Sequence, residues 1–422
     1  MDRIYPYEDV SAFAATTDVL IAGFGGAGAS AALEARRAGA EVVVLERASG
    51  GGGSTMMSAC EMYLGGSGGT RLQRDLGFED SSENFFNYLM TCFGPHADEA
   101  RVRMFVEGAA EHFDWAEGLG VKYKRGFFAG RDVVALTGDS LQFTGNEKAY
   151  PFSERCTPVP RGHLPADSGH KGGVTLMTTL MKRVEEAGAD IRCDARLIGL
   201  VQDRDGRVRG GVARVGEEEL FIAHYPPESL TFGIFVNDKG QRFVNEDAYL
   251  ARIGHYASVQ PGGRIFMFVD DAHFARPQYV LNTEIVGTGD SVAEVENEAG
   301  LPEGALQSTV ALYNEHAARG ADPLFHKAPQ WLTPLDQPPY ALVSYELDKI
   351  VPAAFTLGGL DTLPTGEVVT PDREAIPGLY AAGRTAAGIP RTSKGYASGM
   401  SVADATFFGR QAGKSAARRQ PQ

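Results

Sequence analysis

The chain is poor in cysteine, and its cysteines form no recognisable pair. Cys60, Cys92, Cys156 and Cys193 are scattered over 422 residues, and no Cys-x-x-Cys motif occurs. That spacing argues against structural zinc and thioredoxin-like redox chemistry, so we expect no metal site. Isolated cysteines are typical of reduced thiols, and we therefore expect a cytoplasmic protein.

Long apolar runs and an excess of positive charge are also missing. No run approaches the about 20 apolar residues that a membrane-spanning helix needs. The start of the chain, residues 1–6, lacks the basic and then apolar layout of a signal peptide. With 40 basic and 54 acidic residues the net charge is −14, which argues against nucleic acid or an anionic membrane as a partner.

Glycine, in contrast, is abundant. Much of the total of 52 glycines is clustered, at 50–53, 65–69 and 358–359. Glycine lets a backbone approach a ligand closely, and we interpret the clusters in this way rather than as flexible linkers. A chain of 422 residues exceeds the size of one hydrophobic core, so about two or three domains are expected.

The N-terminal part of the chain predicts a strand–helix–strand unit. Val19–Ala22 and Val42–Leu45 are short apolar runs of the kind that form buried parallel strands. Between them, Gly23-x-Gly25-x-x-Gly28 begins a helical pattern. In such a unit the first glycine allows a tight turn and the last lets the helix pack closely on the strand.

This unit has the features of a dinucleotide-binding site. Gly25 would let backbone N–H groups reach a pyrophosphate, which the positive end of the helix also favours. Glu46 follows the second strand, 18 residues after Gly28, where its carboxylate can accept hydrogen bonds from an adenosine ribose. The Gly/Ser loop over 50–55 would continue the site. The alternative is a glycine-rich turn that binds no ligand.

Periodicity and turn residues give a coarse organisation for the remainder. The sequence predicts helices over 83–120, Val174–Ala187 and Ser401–Ala417, strands at 191–194, Leu197–Val201, Val208–Ala213 and 375–383, a hairpin over 231–246 with its turn at Asp238–Gly240, a long ordered loop over 124–168, and mixed structure over 265–345.

Motifs near the C-terminus narrow the possible families. Gly378-Leu-Tyr-Ala-Ala-Gly-Arg384 and the stretch from Gly395 to Gly413 resemble the end of the fumarate reductase/succinate dehydrogenase flavoprotein superfamily. Segments resembling its 3-ketosteroid dehydrogenase branch are Tyr63–Thr70, Pro160–His163, Phe235–Asp247 and Thr356–Gly359. The resemblance covers nearly the whole chain and implies FAD as the cofactor.

The resemblance implies an α/β fold, α+β overall, in which a Rossmann-like FAD-binding domain carries an inserted α+β substrate (cap) domain. The expected boundaries are 1–224 plus 346–422 for the FAD-binding domain and 225–345 for the cap. The glycine motif and the resemblance together indicate these cofactor-binding residues: Gly23, Gly25, Gly26, Ala27, Gly28, Glu46, Arg47, Gly53, Ser54, Thr55, Gly358, Gly359, Gly383, Arg384, Gly399 and Ser401.

Two absences refine the expected flavin chemistry. The stretch 50–58 lacks the histidine that carries a covalent flavin in some relatives, so FAD is expected to be non-covalent. No second Gly-x-Gly-x-x-Gly motif follows another strand, so a nicotinamide domain is not expected. Electrons would then leave the flavin for an unidentified acceptor, which could be a quinone, a carrier or oxygen.

The expected substrate follows from positions at which fumarate reductases carry charged residues. Where those enzymes have His and Arg, this chain has Phe355, the arginine-free segment 323–328 and Tyr396. Arginine is suited to clamping two carboxylates, so its replacement predicts a neutral, apolar ligand with one polar handle. Gly395-Tyr-Ala-Ser-Gly399 resembles Δ4-(5α)-3-ketosteroid dehydrogenases, whereas the tyrosine of the Δ1-type loop is missing from 391–395.

The resemblance implies a role for three residues in dehydrogenating a 3-ketosteroid. Tyr396 and Ser398 would hold the C3 carbonyl or assist enolisation, and Tyr249 would accept the α-proton or assist its acceptor. Either tyrosine could instead be a packed core residue. The alternative functions are an ene-reductase of the fumarate reductase type acting on another unsaturated substrate, and a non-catalytic flavin-binding protein.

Other polar residues have both a functional and a structural interpretation. Arg242, Glu246 and Asp247 could supply acid–base groups, but a salt-bridged hairpin end is favoured. His163 and His326 could be catalytic, but satisfied structural histidines are favoured.

One departure from the family is conspicuous. Relatives carry a strand end and several dozen further residues where 212–223 here runs directly into His224. Losing a central strand would leave sheet hydrogen bonds unpaired, so we expect an omitted segment rather than a true deletion.

Overall fold

The computed structural model describes residues 3–130, 137–166, 171–215, 231–248, 250–274, 284–345 and 356–418. Its strands are β1 Arg3–Pro6, β2 Val19–Ala22, β3 Val42–Leu45, β4 Met62–Tyr63, β5 Phe127–Phe128, β6 Leu141–Gln142, β7 Gly162–His163, β8 Asp190–Arg192, β9 Ala195–Gln202, β10 Val208–Val215, β11 Ile234–Asn237, β12 Ile265–Asp270, β13 Ile285–Gly289, β14 Tyr340–Ser344, β15 Glu367–Val369 and β16 Ala375–Tyr380. Its helices are α1 Gly26–Arg37, α2 Gly53–Met56, α3 Arg71–Asp75, α4 Ser82–Phe93, α5 Glu99–Leu119, α6 Phe152–Arg155, α7 Gly172–Glu186, α8 Leu250–Ser258, α9 Val292–Glu298, α10 Ala305–Ala317 and α11 Met400–Ala417.

The predicted strand–helix–strand unit is confirmed as β2, α1 and β3. β2 and β3 pair in parallel, with Val19 opposite Val42, and β8 adds to the far side of β3. β3 is buried along its whole length, as its continuous apolar sequence predicts. Gly28 is needed where α1 leaves the strand, because a Cβ there would overlap the carbonyl oxygen of Gly23.

The C-terminal helix α11 packs along α1 at unusually short range. A Cβ on Gly409 would lie 2.5 Å from the carbonyl oxygen of Ala27, and one on Gly413 would overlap that of Ala31. The small residues that the sequence places on one side of α11 therefore face α1. The two ends of the chain are joined in one hydrophobic core, to which α4, α5 and α7 also contribute.

A second sheet is built from the middle of the chain. It is antiparallel, in the order β11-β12-β14-β13. Alternate residues of β12 serve two cores: Phe266 and Phe268 pack with α9 and α10, and Ile265 and Met267 pack with α8. Helices cover both faces of this sheet. The sheet lies within residues 225–345, which we propose as the cap domain.

Two expectations about local structure were wrong in part. The predicted turn at Asp238–Gly240 forms, with the Asn237 N–H donating to the Gln241 carbonyl oxygen at 3.0 Å. The hairpin does not extend into two paired strands, since the return segment makes one bridge, Val236 to Arg242, and the partner strand of β11 is β12. The reason is that the Glu246 carboxylate accepts the Phe235 N–H at 3.0 Å, replacing a strand partner with a side chain. The described part of 124–168 is not simply a loop, since β5, β6 and β7 join β4 in a four-stranded sheet.

Candidate flavin and ketone site

The N-terminus of α1 forms an open cradle. Gly25 is the N-cap and provides no side-chain cap, and the N–H of Gly26 donates to Oγ1 of Thr55 at 3.2 Å. The glycine-rich loop is tied down by the Gly52 N–H, which donates to the Phe24 carbonyl oxygen at 2.8 Å. A Cβ on Gly25 would come no closer than 3.7 Å to its neighbours. The glycine therefore leaves room in front of the helix for a phosphate group.

The carboxylate of Glu46 is held beside this cradle. Its Oε2 accepts the N–H of Phe24 at 2.6 Å, and its Oε1 accepts the N–H of Ala48 at 2.9 Å. Each carboxylate oxygen has a second lone pair, so both can still accept a ribose hydroxyl. The half-buried Glu46 is thus oriented as the sequence predicts, whereas Arg47 is exposed.

Predicted cofactor-binding residues from the C-terminal part of the chain lie beside the N-terminus of α1. Gly383 has φ +67°, and a Cβ there would lie 2.8 Å from Cβ of Ala27. Nη1 of Arg384 donates to the Thr356 carbonyl oxygen at 3.0 Å. Of the remaining predicted residues, Gly53, Ser54, Gly358 and Gly359 are exposed. The donor groups and glycine clearances of this region fit an FAD molecule.

Tyr396 lies at the positive end of α11. Its hydroxyl donates to Oγ of Ser401 at 2.8 Å and accepts the Ser401 N–H at 3.3 Å. Burial raises the pKa of Tyr396, and the bonds to Ser401 offset only part of that effect. The phenol is therefore neutral near pH 7 and acts as a hydrogen-bond donor rather than a tyrosinate base, so a ketone would have to replace Oγ of Ser401 as its acceptor. Gly399 is required beside it, because a Cβ there would lie 2.8 Å from the Tyr63 nitrogen.

The loop that carries Tyr396 and Ser398 is held by a segment that sequence reasoning missed. The Ser398 N–H donates to the Thr144 carbonyl oxygen at 3.0 Å, and Oγ1 of Thr144 donates back to the Ser398 carbonyl oxygen at 3.3 Å. Nδ2 of Asn146 donates to the Tyr396 carbonyl oxygen at 3.5 Å. The surrounding sequence has no period, so it gave no signal for this support.

Glu61 is a second residue that sequence reasoning missed. It is 2% exposed, and its Oε1 accepts a hydrogen bond from Nε2 of Gln142 at 3.0 Å. The hydroxyls of Ser398 and Thr144 are further hydrogen-bonding neighbours. One signal was present in the sequence, since Glu61 is a single acid in the otherwise uncharged stretch 55–64.

Tyr249 lies outside the described residues, as do Phe355 and residues 216–230. Helix α8, which begins at the residue after Tyr249, packs against the loop that leads to Tyr396. Nη1 of Arg252 donates to the Lys394 carbonyl oxygen at 3.4 Å, and Nδ1 of His255 lies 3.2 Å from Oγ of Ser393. The candidate site thus lies where α8 of the proposed cap meets the flavin side.

The contacts of the two candidate histidines favour the structural interpretation. His163 is buried between Oγ1 of Thr70 at 2.7 Å and the Arg161 carbonyl oxygen at 2.8 Å, and burial lowers its pKa to about 4. The ring of His326 stacks on Tyr150 at 4.1 Å.

The charged residues in the return segment of the predicted hairpin also have structural partners. Arg242 forms ion pairs with Glu246 at 2.8 Å and with Asp322 at 3.0 Å. Nζ of Lys327, also buried, lies 3.5 Å from Glu246 and donates to the Gly233 carbonyl oxygen at 2.8 Å. Asp247 accepts the Ala328 N–H at 3.0 Å.

The described ranges contain no group of three His, Cys, Asp or Glu side chains arranged to hold a metal ion. Within the same ranges, no helix combines the length and apolar character that crossing a bilayer requires.

Comparison with known proteins identifies relatives across the chain. Residues 18–225 and 231–399 match the family model described as the FAD binding domain. The fold is similar to that of 3-ketosteroid-Δ4-(5α)-dehydrogenase from Rhodococcus jostii in complex with 4-androstene-3,17-dione, with a TM-score of 0.89. The two are 35% identical, over 99% of this chain and 100% of that chain. The α/β fold and FAD as cofactor, both predicted from sequence, are confirmed.

The curated relatives include reductases of unsaturated substrates and a steroid dehydrogenase. A probable fumarate reductase of Shewanella frigidimarina is 26% identical over 478 aligned positions, covering 96% of this chain and 75% of the relative. A 3-oxo-5-alpha-steroid 4-dehydrogenase of Comamonas testosteroni is 33% identical over 198 residues, covering 46% of this chain and 36% of the relative.

Proposed function

The chain belongs to the FAD binding domain family, and from that premise we propose that it dehydrogenates a 3-ketosteroid of the Δ4-(5α) type, acting on a CH–CH bond. The observation that carries this proposal is the likeness, along the full length of both chains, to a 3-ketosteroid-Δ4-(5α)-dehydrogenase. The neutral, buried phenol of Tyr396 is the polar handle that a ketone requires.

We propose distinct roles for the three candidate residues. Tyr396 hydrogen-bonds the C3 carbonyl oxygen and stabilises the enolate that develops there, and Ser398 holds the same oxygen or assists enolisation, so that the neighbouring carbon becomes more acidic. Tyr249 accepts the α-proton or assists its acceptor. Bound FAD supplies the hydride acceptor for the β-carbon. The packing of α8 on the Tyr396 loop supports the assignment of Tyr249 to this site.

The remaining assignments follow from the same premise. We propose that Gly23–Gly28, Glu46 and the loop to Thr55 bind the nucleotide part of FAD, and that residues 383–401 enclose the flavin. A quinone, a carrier or oxygen would take the electrons. The four cysteines form no disulfide in the described chain, which supports a reducing cytoplasmic setting.

An anaerobic titration tests the proposal. Adding 5α-androstane-3,17-dione to the yellow protein should bleach the oxidised flavin band, and Tyr396→Phe should slow bleaching at least about 100-fold, as loss of one oxyanion donor does. Tyr123→Phe is the matched control, because Tyr123 is buried and its hydroxyl has no hydrogen-bond partner among the described residues. A wild-type flavin that the ketosteroid leaves yellow would refute the proposal, and a folded protein that takes up no FAD would indicate a non-catalytic one.

An ene-reductase of the fumarate reductase type is the second candidate, favoured by the 26% identity to a probable fumarate reductase. Against it, the cation in the segment 323–328 is Lys327, which is already bound by Glu246 and the Gly233 carbonyl oxygen. We expect dithionite-reduced protein to be reoxidised by 4-androstene-3,17-dione but not by fumarate. Reoxidation by fumarate alone would favour the ene-reductase.

A further inference from the structure

Glu61, a buried carboxyl that the proposed reaction does not use, is a neighbour of Ser398. Glu61 precedes β4 and is 2% exposed. Its Oε1 accepts the hydrogen bond from Gln142, but no hydrogen bond of regular geometry reaches Oε2 from the described residues. A buried carboxyl oxygen without a partner is uncommon and calls for an explanation.

The surroundings hold Ser398 against this carboxyl. Thr144 bonds both the N–H and the carbonyl oxygen of Ser398, so the serine is fixed at two points. The hydroxyl of Ser398 lies close enough to hydrogen-bond Glu61, and the hydroxyl of Thr144, which donates to the Ser398 carbonyl oxygen, is a second neighbour. The glycine at position 162 makes room for these side chains. A Cβ at Gly162 would overlap both Oε1 of Glu61 and the Thr144 side chain.

The groups facing Glu61 are acids or neutral hydrogen-bond donors. Burial raises its pKa to about 8, against the effect of hydrogen bonds from Ser398, Gln142 and Thr144. Glu147 adds to the rise, and the charge of Glu61 in turn raises the pKa of Cys60 and Tyr396. A carboxyl whose pKa lies in this range can both take up and release a proton under physiological conditions.

We propose that Glu61 is a positioning residue that orients the Ser398 hydroxyl and accepts its proton during dehydrogenation, an inference that rests on the proposed function. In this relay Ser398 assists enolisation as the acceptor of the α-proton, and Tyr249 assists Ser398. As the α-carbon–hydrogen bond breaks, that proton passes to Oγ of Ser398 and the serine's own proton passes to the Glu61 carboxylate. The hydride leaves the β-carbon for the flavin, so a C=C bond forms and two electrons reach FAD. Glu61 later returns the proton to solvent.

The pH dependence of flavin bleaching by 5α-androstane-3,17-dione tests this relay. The wild-type rate should rise with pH and level off above an inflection near 8, where Glu61 is ionised. Glu61→Gln should lower the rate about 100-fold or more, the size of a lost general base, and abolish the inflection. The double variant Glu61→Gln/Ser398→Ala should be no slower than Ser398→Ala, because both residues act in one unit.

Two further variants distinguish loss of the proton relay from a general disruption of the site. Glu147→Gln removes another buried acid, one bonded to the Tyr63 hydroxyl at 2.6 Å, and should keep an inflection, moved to lower pH because Glu147 contributes to the raised pKa of Glu61. Gln142→Met removes a hydrogen bond that lowers the pKa of Glu61, so its inflection should move to higher pH even if Glu61→Gln does not fold. An inflection that remains in Glu61→Gln, or stays in place in Gln142→Met, would overturn the relay.

Infrared titration of the holoenzyme distinguishes failure of the relay from failure of the proposed function, because it needs no substrate. A protonated-carboxyl band should disappear near pH 8 in the wild type, and this titrating component should be missing in Glu61→Gln, whatever bands the other buried acids Glu147 and Asp404 contribute. Its absence from the wild type would overturn the relay even in an active enzyme. A band that titrates as expected in a protein that no ketosteroid reduces would overturn the proposed function, and with it the role of Glu61.

Discussion

At the scale of single residues, Glu46 offers a direct test of the nucleotide site. Its carboxylate is aimed by two backbone N–H groups, from Phe24 and Ala48. Hydrogen bonds to a charged acceptor contribute about 1.5–3 kcal/mol, so Glu46→Gln should weaken FAD binding about 10-fold to 100-fold. Flavin fluorescence on titrating the apoprotein measures this. Glu41→Gln, an exposed position at the other end of β3, should bind as the wild type does, and equal affinity for both variants would contradict the assignment.

The contrast between Glu46 and Glu61 shows which residues a sequence can predict. The position of Glu46 follows from a local unit, a strand with a fixed distance to the glycine motif, so its placement could be anticipated. Glu61 acquires its partners from Gln142 and Ser398, which are distant in the chain. No local pattern encodes such a meeting, because it depends on how β4, β6 and the loop before α11 come together.

At the scale of elements, the close crossing of α1 and α11 predicts opposite effects for one substitution type. In Gly413→Ala, the new Cβ would overlap the Ala31 carbonyl oxygen, and overpacking should cost about 1–3 kcal/mol in the free energy of unfolding. Gly118→Ala in α5 meets no atom within 4 Å and should instead stabilise the protein by about 0.5–1 kcal/mol. Urea unfolding measures both, and a stabilising Gly413→Ala would contradict this packing.

The ion network beneath the cap sheet predicts a stability that depends on pH. Burial alone would raise the pKa of Glu246, but the cations of Arg242 and Lys327 outweigh it and hold the pKa below its ordinary value. Such a group stabilises the fold above the ordinary carboxyl pKa, and this contribution is lost as pH falls through the lowered value.

Glu246→Gln should therefore lower the free energy of unfolding by about 3 kcal/mol at pH 7, because two buried cations lose a partner. The deficit should shrink below the ordinary carboxyl pKa of about 4.3. Denaturant unfolding at several pH values measures it. Glu315→Gln, which breaks the exposed pair with Arg319, should have little effect. A deficit independent of pH would contradict the ionic origin.

The same glutamate explains why the predicted hairpin does not extend beyond its turn and one bridge. Alternation and a turn signal at Asp238–Gly240 are the ordinary signs of two paired strands. Here the Glu246 side chain accepts the N–H of Phe235 that a second strand would have used. Sequence patterns report which residues alternate, but they do not report when a buried side chain replaces a backbone partner.

At the scale of the whole molecule, the flavin-side sheet has an open edge within the described residues. In the described chain β2 pairs with β3 alone, and Leu20 on β2 is 38% exposed. The family match is interrupted at 226–230, and the alignment to the probable fumarate reductase, at 478 positions, is longer than this chain. That relative therefore carries residues without a counterpart here.

FAD should bind both ends of the chain at once, so it should stabilise the whole molecule. FAD at 100 times its dissociation constant should add about 2.7 kcal/mol to the free energy of unfolding. If the cofactor is non-covalent, acid precipitation should release it, which provides the apoprotein for comparison. Thermal unfolding with and without FAD then measures the increment.

Two glycine variants distinguish effects on the stability of the apoprotein from effects on FAD binding. Gly25→Ala should leave the apoprotein as stable as the wild type, since φ is −90° and the new Cβ comes no closer than 3.7 Å to any neighbour. It should nevertheless lose most of the FAD increment, because that Cβ occupies the space proposed for a phosphate. Gly28→Ala should destabilise the apoprotein itself, since its Cβ overlaps the Gly23 carbonyl oxygen. If Gly25→Ala kept the full increment, the pyrophosphate could not lie at the N-terminus of α1.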